Sequence, residues 1–133
     1  MPGVGQRAER GSAVVDFVLV LVVLIPIILG ILQVALVLHV RNTLTAAASE
    51  GARFAGTLDR GLEDGRTKTR EQIAGAISER FAERVVVEQV MIDGVPGVRV
   101  TVRATVPPLG IGGPGVPVEV SGHAVEESID GAP

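Results

Sequence analysis

The chain has 133 residues and a formal net charge of −3, which leaves room for one membrane span and one modest domain but not two domains. It contains no cysteine, so a disulfide framework and thiolate metal sites are excluded. Beyond Leu38 lie ten basic and thirteen acidic side chains, and no basic patch of the kind that binds nucleic acid occurs.

The chain opens MPGVGQRAERGSAVVD, Gly-rich and polar at its start, a composition that predicts disorder. Phe17 to Leu38 follows as FVLVLVVLIPIILGILQVALVL, with no charged residue. At about 1.5 Å per residue this run makes a helix of roughly 33 Å, enough to cross a bilayer core. Only Gln33 in it is polar, so no solvated face exists, as one would in a soluble helix. Pro26 and Gly30 damage a soluble helix but are tolerated in a membrane one. The competing reading is a cleaved secretory signal, with Ala46-Ala47-Ala48 as a small-residue cleavage site. Against it, the run exceeds the ~7–15 residues of a signal h-region. With Phe17, Phe54 and Phe81 as the only aromatics, the span lacks an interfacial aromatic belt. His39 marks the boundary, with Arg41 snorkelling to headgroups. Arg7 and Arg10 on one side balance Arg41 and Arg53 on the other, so the positive-inside count leaves orientation open.

The junction RGSAVVDF carries more information. Asp16 stands at the edge of the apolar run, five residues after Gly11. A carboxylate at a helix N-terminus is favoured by the helix dipole alone. An acid so close to hydrocarbon also wants a partner. If the chain were cut after Gly11, Ser12 would bear a free amine, four residues from Asp16 and on the same helical face.

Gly11, four residues, then an acid and an aromatic before a long apolar helix resemble a type IV prepilin signal. The short leader, the Arg10-Gly11 pair and the run beginning GSAVVDF are similar to the TadE-like pseudopilins of Tad (tight adherence, Flp-type) pilus systems. The resemblance covers roughly residues 7 to 56, including AAASEGARFAG after the span. It implies that a prepilin peptidase cuts between Gly11 and Ser12 on the cytoplasmic side. It also implies that Asp16, flanked by Phe17, engages the free amine of a neighbouring subunit during assembly. Asp stands where the family usually has Glu, one methylene longer. The implied location is the bacterial cytoplasmic membrane, single-pass, with the N-terminus inside and the C-terminal domain outside. Implied partners are other pilins or pseudopilins, the Tad assembly machinery, the peptidase and membrane lipid.

Past the span, Leu44, Ala47, Ala48, Gly51, Ala55 and Leu58 form an i, i+3, i+4, i+7 face, read as the core face of a helix continuing into water. Asp59 to Arg66 reads as a turn. Thr69-Arg70-Glu71-Gln72 fits a capping box opening a second helix with Ile73, Ile77 and Phe81 on one side. Glu71, Glu79, Arg80, Glu83 and Arg84 read as its solvated face. Val85 to Ile92 is strand-like, and its alternation slips between Val87 and Val90, which predicts a bulge. Asp93 to Gly97 is turn chemistry, so a hairpin is expected. Val98 to Val106 alternates with period two, and a third strand runs from about Val116 to Ala124. The tail SIDGAP is expected to fray.

The expected fold is thus α+β: one N-terminal transmembrane helix extending into a small domain with a second helix and a three-stranded antiparallel sheet. The expected division is a leader at 1–11, the span at 12–40 and an extracytoplasmic domain at 41–133. Gly110 to Gly115 literally matches G-x-G-x-x-G but lies between strands, without the helix a dinucleotide site requires. His123 with Glu126 and Glu127 is the nearest approach to a metal-ligand set, and a lone strand His beside acids is usually solvent-facing. No catalytic triad or carboxylate pair stands out. The reading is therefore a structural pseudopilin with no catalytic residues, cofactor or metal. The alternative is a generic signal-anchored envelope protein whose domain binds a partner. A membrane-tethered enzyme ranks third, for want of a catalytic constellation.

Overall fold

The computed structural model describes the backbone of residues 2–57, 59–110 and 112–127, with side chains from residue 7 onward. Its spine is one helix, α1 (Pro2–Ala55). At about 1.5 Å per residue, α1 is roughly 80 Å long. It passes without a break through Pro26 and Gly30 and through both sequence boundaries, 11/12 and 40/41. The disorder expected for the first residues is replaced by helix from Pro2. The physical reason is cooperativity: once the apolar run has nucleated, extension costs little, and Arg7, Ala8, Glu9 and Arg10 are good helix formers.

A second helix, α2 (Leu62–Ala76), folds back on α1 and leads through a 3-10 turn (Glu79–Phe81) into the sheet. The turn expected at 59–66 and the capping box at Thr69 both need correction. The helix starts at Leu62, and Asp64 Oδ2 accepts the Gly61 N–H at 2.7 Å. Gly65, which suggested a turn, lies inside the helix because α1 approaches too closely for any side chain. A Cβ there would meet the Ala55 Cβ at 2.5 Å. Gly51 opposes it, and a Cβ on Gly51 would run into the Thr69 hydroxyl. Thr69 is fully buried and donates its Oγ1–H to the Gly65 carbonyl at 2.8 Å. Its pattern with Gln72 is thus an interior pair one turn apart.

Three strands form an antiparallel meander in the order β1 (Arg84–Ile92), β2 (Val95–Val106) and β3 (Val116–Val125). The β1–β2 turn is shorter than expected, only Asp93 and Gly94. Their φ values of 50° and 81° suit a two-residue hairpin turn. Pairing runs without interruption from Ile92↔Val95 to Arg84↔Arg103, so the predicted bulge is absent. The alternation slips because the inner face outruns its cover: Val85 and Val87 are buried, whereas Gln89, in the same phase, is exposed. Gln89 Nε2 donates to Glu126 Oε1 at 3.0 Å instead.

The core lies between the inner sheet face and one side of α1. Val85, Val87, Val98, Val100, Val102, Ala104, Val106, Val118 and Val120 meet Val40, Leu44, Ala47, Ala48, Ala52 and Ala55, with Ile73 and Phe81 closing the flank. The helix face expected at Leu44, Ala47, Ala48, Gly51 and Ala55 is the one that is buried. Leu58 and the tail at 128–133 lie outside the described residues. The small residues let the α1 backbone lie directly on β3, where a Cβ on Gly122 would overlap Ala48 and Ser49. Leu36 and Val37 also pack on this core, so the domain's contacts begin inside the apolar run.

Candidate functional site

Gly11, Ser12, Asp16 and Phe17 all lie on the exposed N-terminal half of α1. Apart from its own stretch of helix, no atom among the described residues lies within 4 Å of where a Gly11 side chain would start. Gly is about 1 kcal/mol worse than Ala inside a helix, so Gly11 weakens this exposed stretch of α1. Ser12 and Asp16 fall on one face, one turn apart. Asp16 makes no hydrogen bond or ion pair among the described residues. It also stands well inside α1 rather than at its N-terminus. The helix-dipole account of this carboxylate therefore does not apply to the uncut chain. Removing residues 1–11 would bring Asp16 close to the new N-terminus, where the dipole favours a negative charge.

Phe17 is 63% exposed, and the large apolar residues from Val14 to Val34 share that exposure with few exceptions. None of the most apolar window of this helix is fully buried by the rest of the chain. A soluble monomer rarely presents an apolar surface of this extent. The helix is long and apolar enough to cross a membrane.

Gln33 has a role that the sequence reading did not assign. Its Oε1 accepts the Leu109 N–H at 2.7 Å, and its Nε2 donates to the Pro107 carbonyl at 3.3 Å. The β2–β3 loop is therefore tied to α1 within the apolar run. A polar side chain in such a run needs a partner, and that was the available signal. Which segment would supply it depended on the fold.

The remaining candidates do not assemble. Strand alternation puts His123 on the outer sheet face, beside Arg99 and Ser121, while Glu126 bonds Gln89 in the opposite phase. Among the described residues no three His, Cys, Asp or Glu side chains gather closely enough to hold a metal. The Gly110–Gly115 segment leads into β3 and not into a helix, with φ values of 111°, 74° and 133° at Gly110, Gly112 and Gly113; Ile111 lies outside the described residues. The outer sheet face is an open lattice of charge. Arg103 pairs with Glu119, and Arg99 lies 3.9 Å from Glu88.

An exposed apolar half-helix, continuous with a half that carries a small α+β domain, defines a candidate single-pass membrane protein. The segment that does both is TadE-like: residues 11–53 match the family model described as TadE-like protein. The match begins at Gly11 and ends before α1 does, about a third of the chain, and leaves α2 and the sheet outside it. No curated protein and no solved structure matches the chain.

Proposed function

We propose that this protein is a minor pseudopilin of a Tad/Flp-type pilus assembly or secretion system, a membrane-anchored structural subunit rather than an enzyme. The observation that carries this reading is the start of the TadE-like match at Gly11, directly ahead of an exposed apolar helix. The N-terminus lies in the cytoplasm and the sheet domain outside. A prepilin peptidase cuts between Gly11 and Ser12, and the freed Ser12 amine of one subunit meets the Asp16 carboxylate of another. Between apolar helices that pair is poorly screened and stronger than it would be in water. Asp16 is exposed and has no hydrogen-bond or ion-pair partner among the described residues, which leaves it available.

The test is the intact mass of detergent-extracted protein from cells with an active prepilin peptidase, with recovery of partner pilins alongside. The parent is expected to lack residues 1–11, and Gly11→Val to remain full length. Asp16→Asn is expected to be cut normally yet to lose its partners, and Asp16→Glu to keep them. A parent that retains residues 1–11 would remove the main support for the proposal. Normal partner recovery by Asp16→Asn would remove the role given to the carboxylate.

A further inference from the structure

The β2–β3 loop lies beside the outer end of the apolar run. Gln33 holds Pro107 and Leu109 through two hydrogen bonds. Gly110 comes down to Leu29, whose Cδ1 lies 3.6 Å from where a Gly110 Cβ would be. If Asp16 sits at the inner edge of the hydrocarbon, Gln33 is about 26 Å further along the helix. A bilayer core is about 30 Å thick. Leu109 and Gly110 therefore fall at or just inside the outer edge of the core, and not in the water above it.

The loop is made for that depth. From Ala104 to Val118 the chain has no charged residue, the longest such stretch outside the span. Leu109 and Val116 are exposed large apolar side chains. Irregular backbone near hydrocarbon is tolerated only where its polar groups are satisfied. Pro107, Pro108, Pro114 and Pro117 have no N–H to satisfy. The Leu109 N–H and the Pro107 carbonyl are met by the Gln33 amide, and the Gly112 N–H donates to the Gly110 carbonyl at 3.0 Å. A lone amide in the apolar run is thereby explained: it serves a segment that reaches into the same layer.

We infer that the β2–β3 loop is a second membrane contact, docked into the acyl–headgroup boundary of the outer leaflet and held there by Gln33. This rests on the membrane-span reading of α1. The loop and the span then form one apolar surface, which fixes the sheet domain's height and orientation on the membrane.

The chain has no Trp or Tyr, so a single Trp reports its own position. Full-length Leu109→Trp, Val23→Trp and Val95→Trp are reconstituted in phosphatidylcholine vesicles whose acyl chains carry bromine near the headgroup or near the chain end. Val95 is at the far hairpin, so Val95→Trp is expected to be unquenched. Val23→Trp is expected to be quenched most by deep bromine. Leu109→Trp is expected to emit to the blue and to lose about half its intensity to shallow bromine, as interfacial aromatics do. Quenching of Val23→Trp without Leu109→Trp overturns the loop inference alone. No quenching of Val23→Trp overturns the span reading itself. A Leu109→Trp signal shielded from aqueous iodide but untouched by brominated lipid means that a second copy covers the loop, and also overturns the inference. Adding Gln33→Leu is expected to weaken shallow quenching of Leu109→Trp, and unchanged quenching would overturn the part given to Gln33.

Discussion

From Val14 to Ile31, α1 is exposed around almost its whole circumference, whereas from Val40 to Ala55 one side of it is sealed against a sheet and a second helix. The first region uses large side chains, Val, Leu, Ile and Phe, and packs against almost nothing in its own chain. The second, beyond Val40 and Leu44, packs mainly Ala and Gly and lets the β3 backbone at Gly122 and the α2 backbone at Gly65 approach closely. On the proposed membrane reading, the same backbone conformation serves two solvents. In lipid a helix need only be apolar everywhere. In water its stability comes from one well-packed stripe. The TadE-like match spans both regions but stops short of the partners that cover the second.

The sharpest way to break this comparison is a steric change in the packed region. Gly122→Val would drive a side chain into the α1 backbone at Ala48 and Ser49. Loss of the folded sheet domain is expected, seen as rapid proteolysis of the strands in detergent while the α1 helical signal in far-UV circular dichroism survives. A protease-resistant Gly122→Val domain would show that the helix does not lie on β3 as described.

The next contrast uses two leucines of the same helix. Leu44 is 0% exposed and Leu24 is 43% exposed. Leu44→Ala is expected to destabilise the domain by about 2–5 kcal/mol, as for other fully buried leucines. Leu24→Ala is expected to leave the domain's thermal midpoint unchanged, because lipid or detergent fills the space. Equal losses from both substitutions would mean that the apolar half is packed against protein.

Smaller effects sharpen the picture at the domain's edges. Asp64→Ala removes the carboxylate that accepts the Gly61 N–H and is expected to cost roughly 0.5–1 kcal/mol at the first turn of α2. Denaturant titration reads it, and no loss would place the helix start elsewhere. Arg103→Gln breaks the ion pair with Glu119, both side chains 55% exposed. Solvent screening limits the expected loss to about 0.5 kcal/mol or less, shrinking further as salt is raised. A salt-independent loss of several times that size would indicate that the outer sheet face is covered.

The uncharged run, the Gly11-to-Phe17 junction, the small-residue face of α1 and the alternation of β2 were all legible in the residues. Each is a local signal: a period, a run length, a spacing. They were enough for an apolar helix leading into an α+β domain and for the family resemblance. The tertiary structure decided what local pattern cannot encode. Gly65 reads as a turn until α1 is seen against it. Thr69 reads as a cap until its hydroxyl is found bonded one turn back inside a helix. The slip between Val87 and Val90 reads as a bulge until the uninterrupted register shows an inner face extending beyond its cover at Gln89. Gln33 reads as a lone polar residue until a loop 74 residues later supplies both of its partners. In every case the deciding group comes from another element. A side chain's own neighbours in sequence set its conformation, but which polar group it satisfies and which backbone it lets approach depend on how the elements fold onto one another.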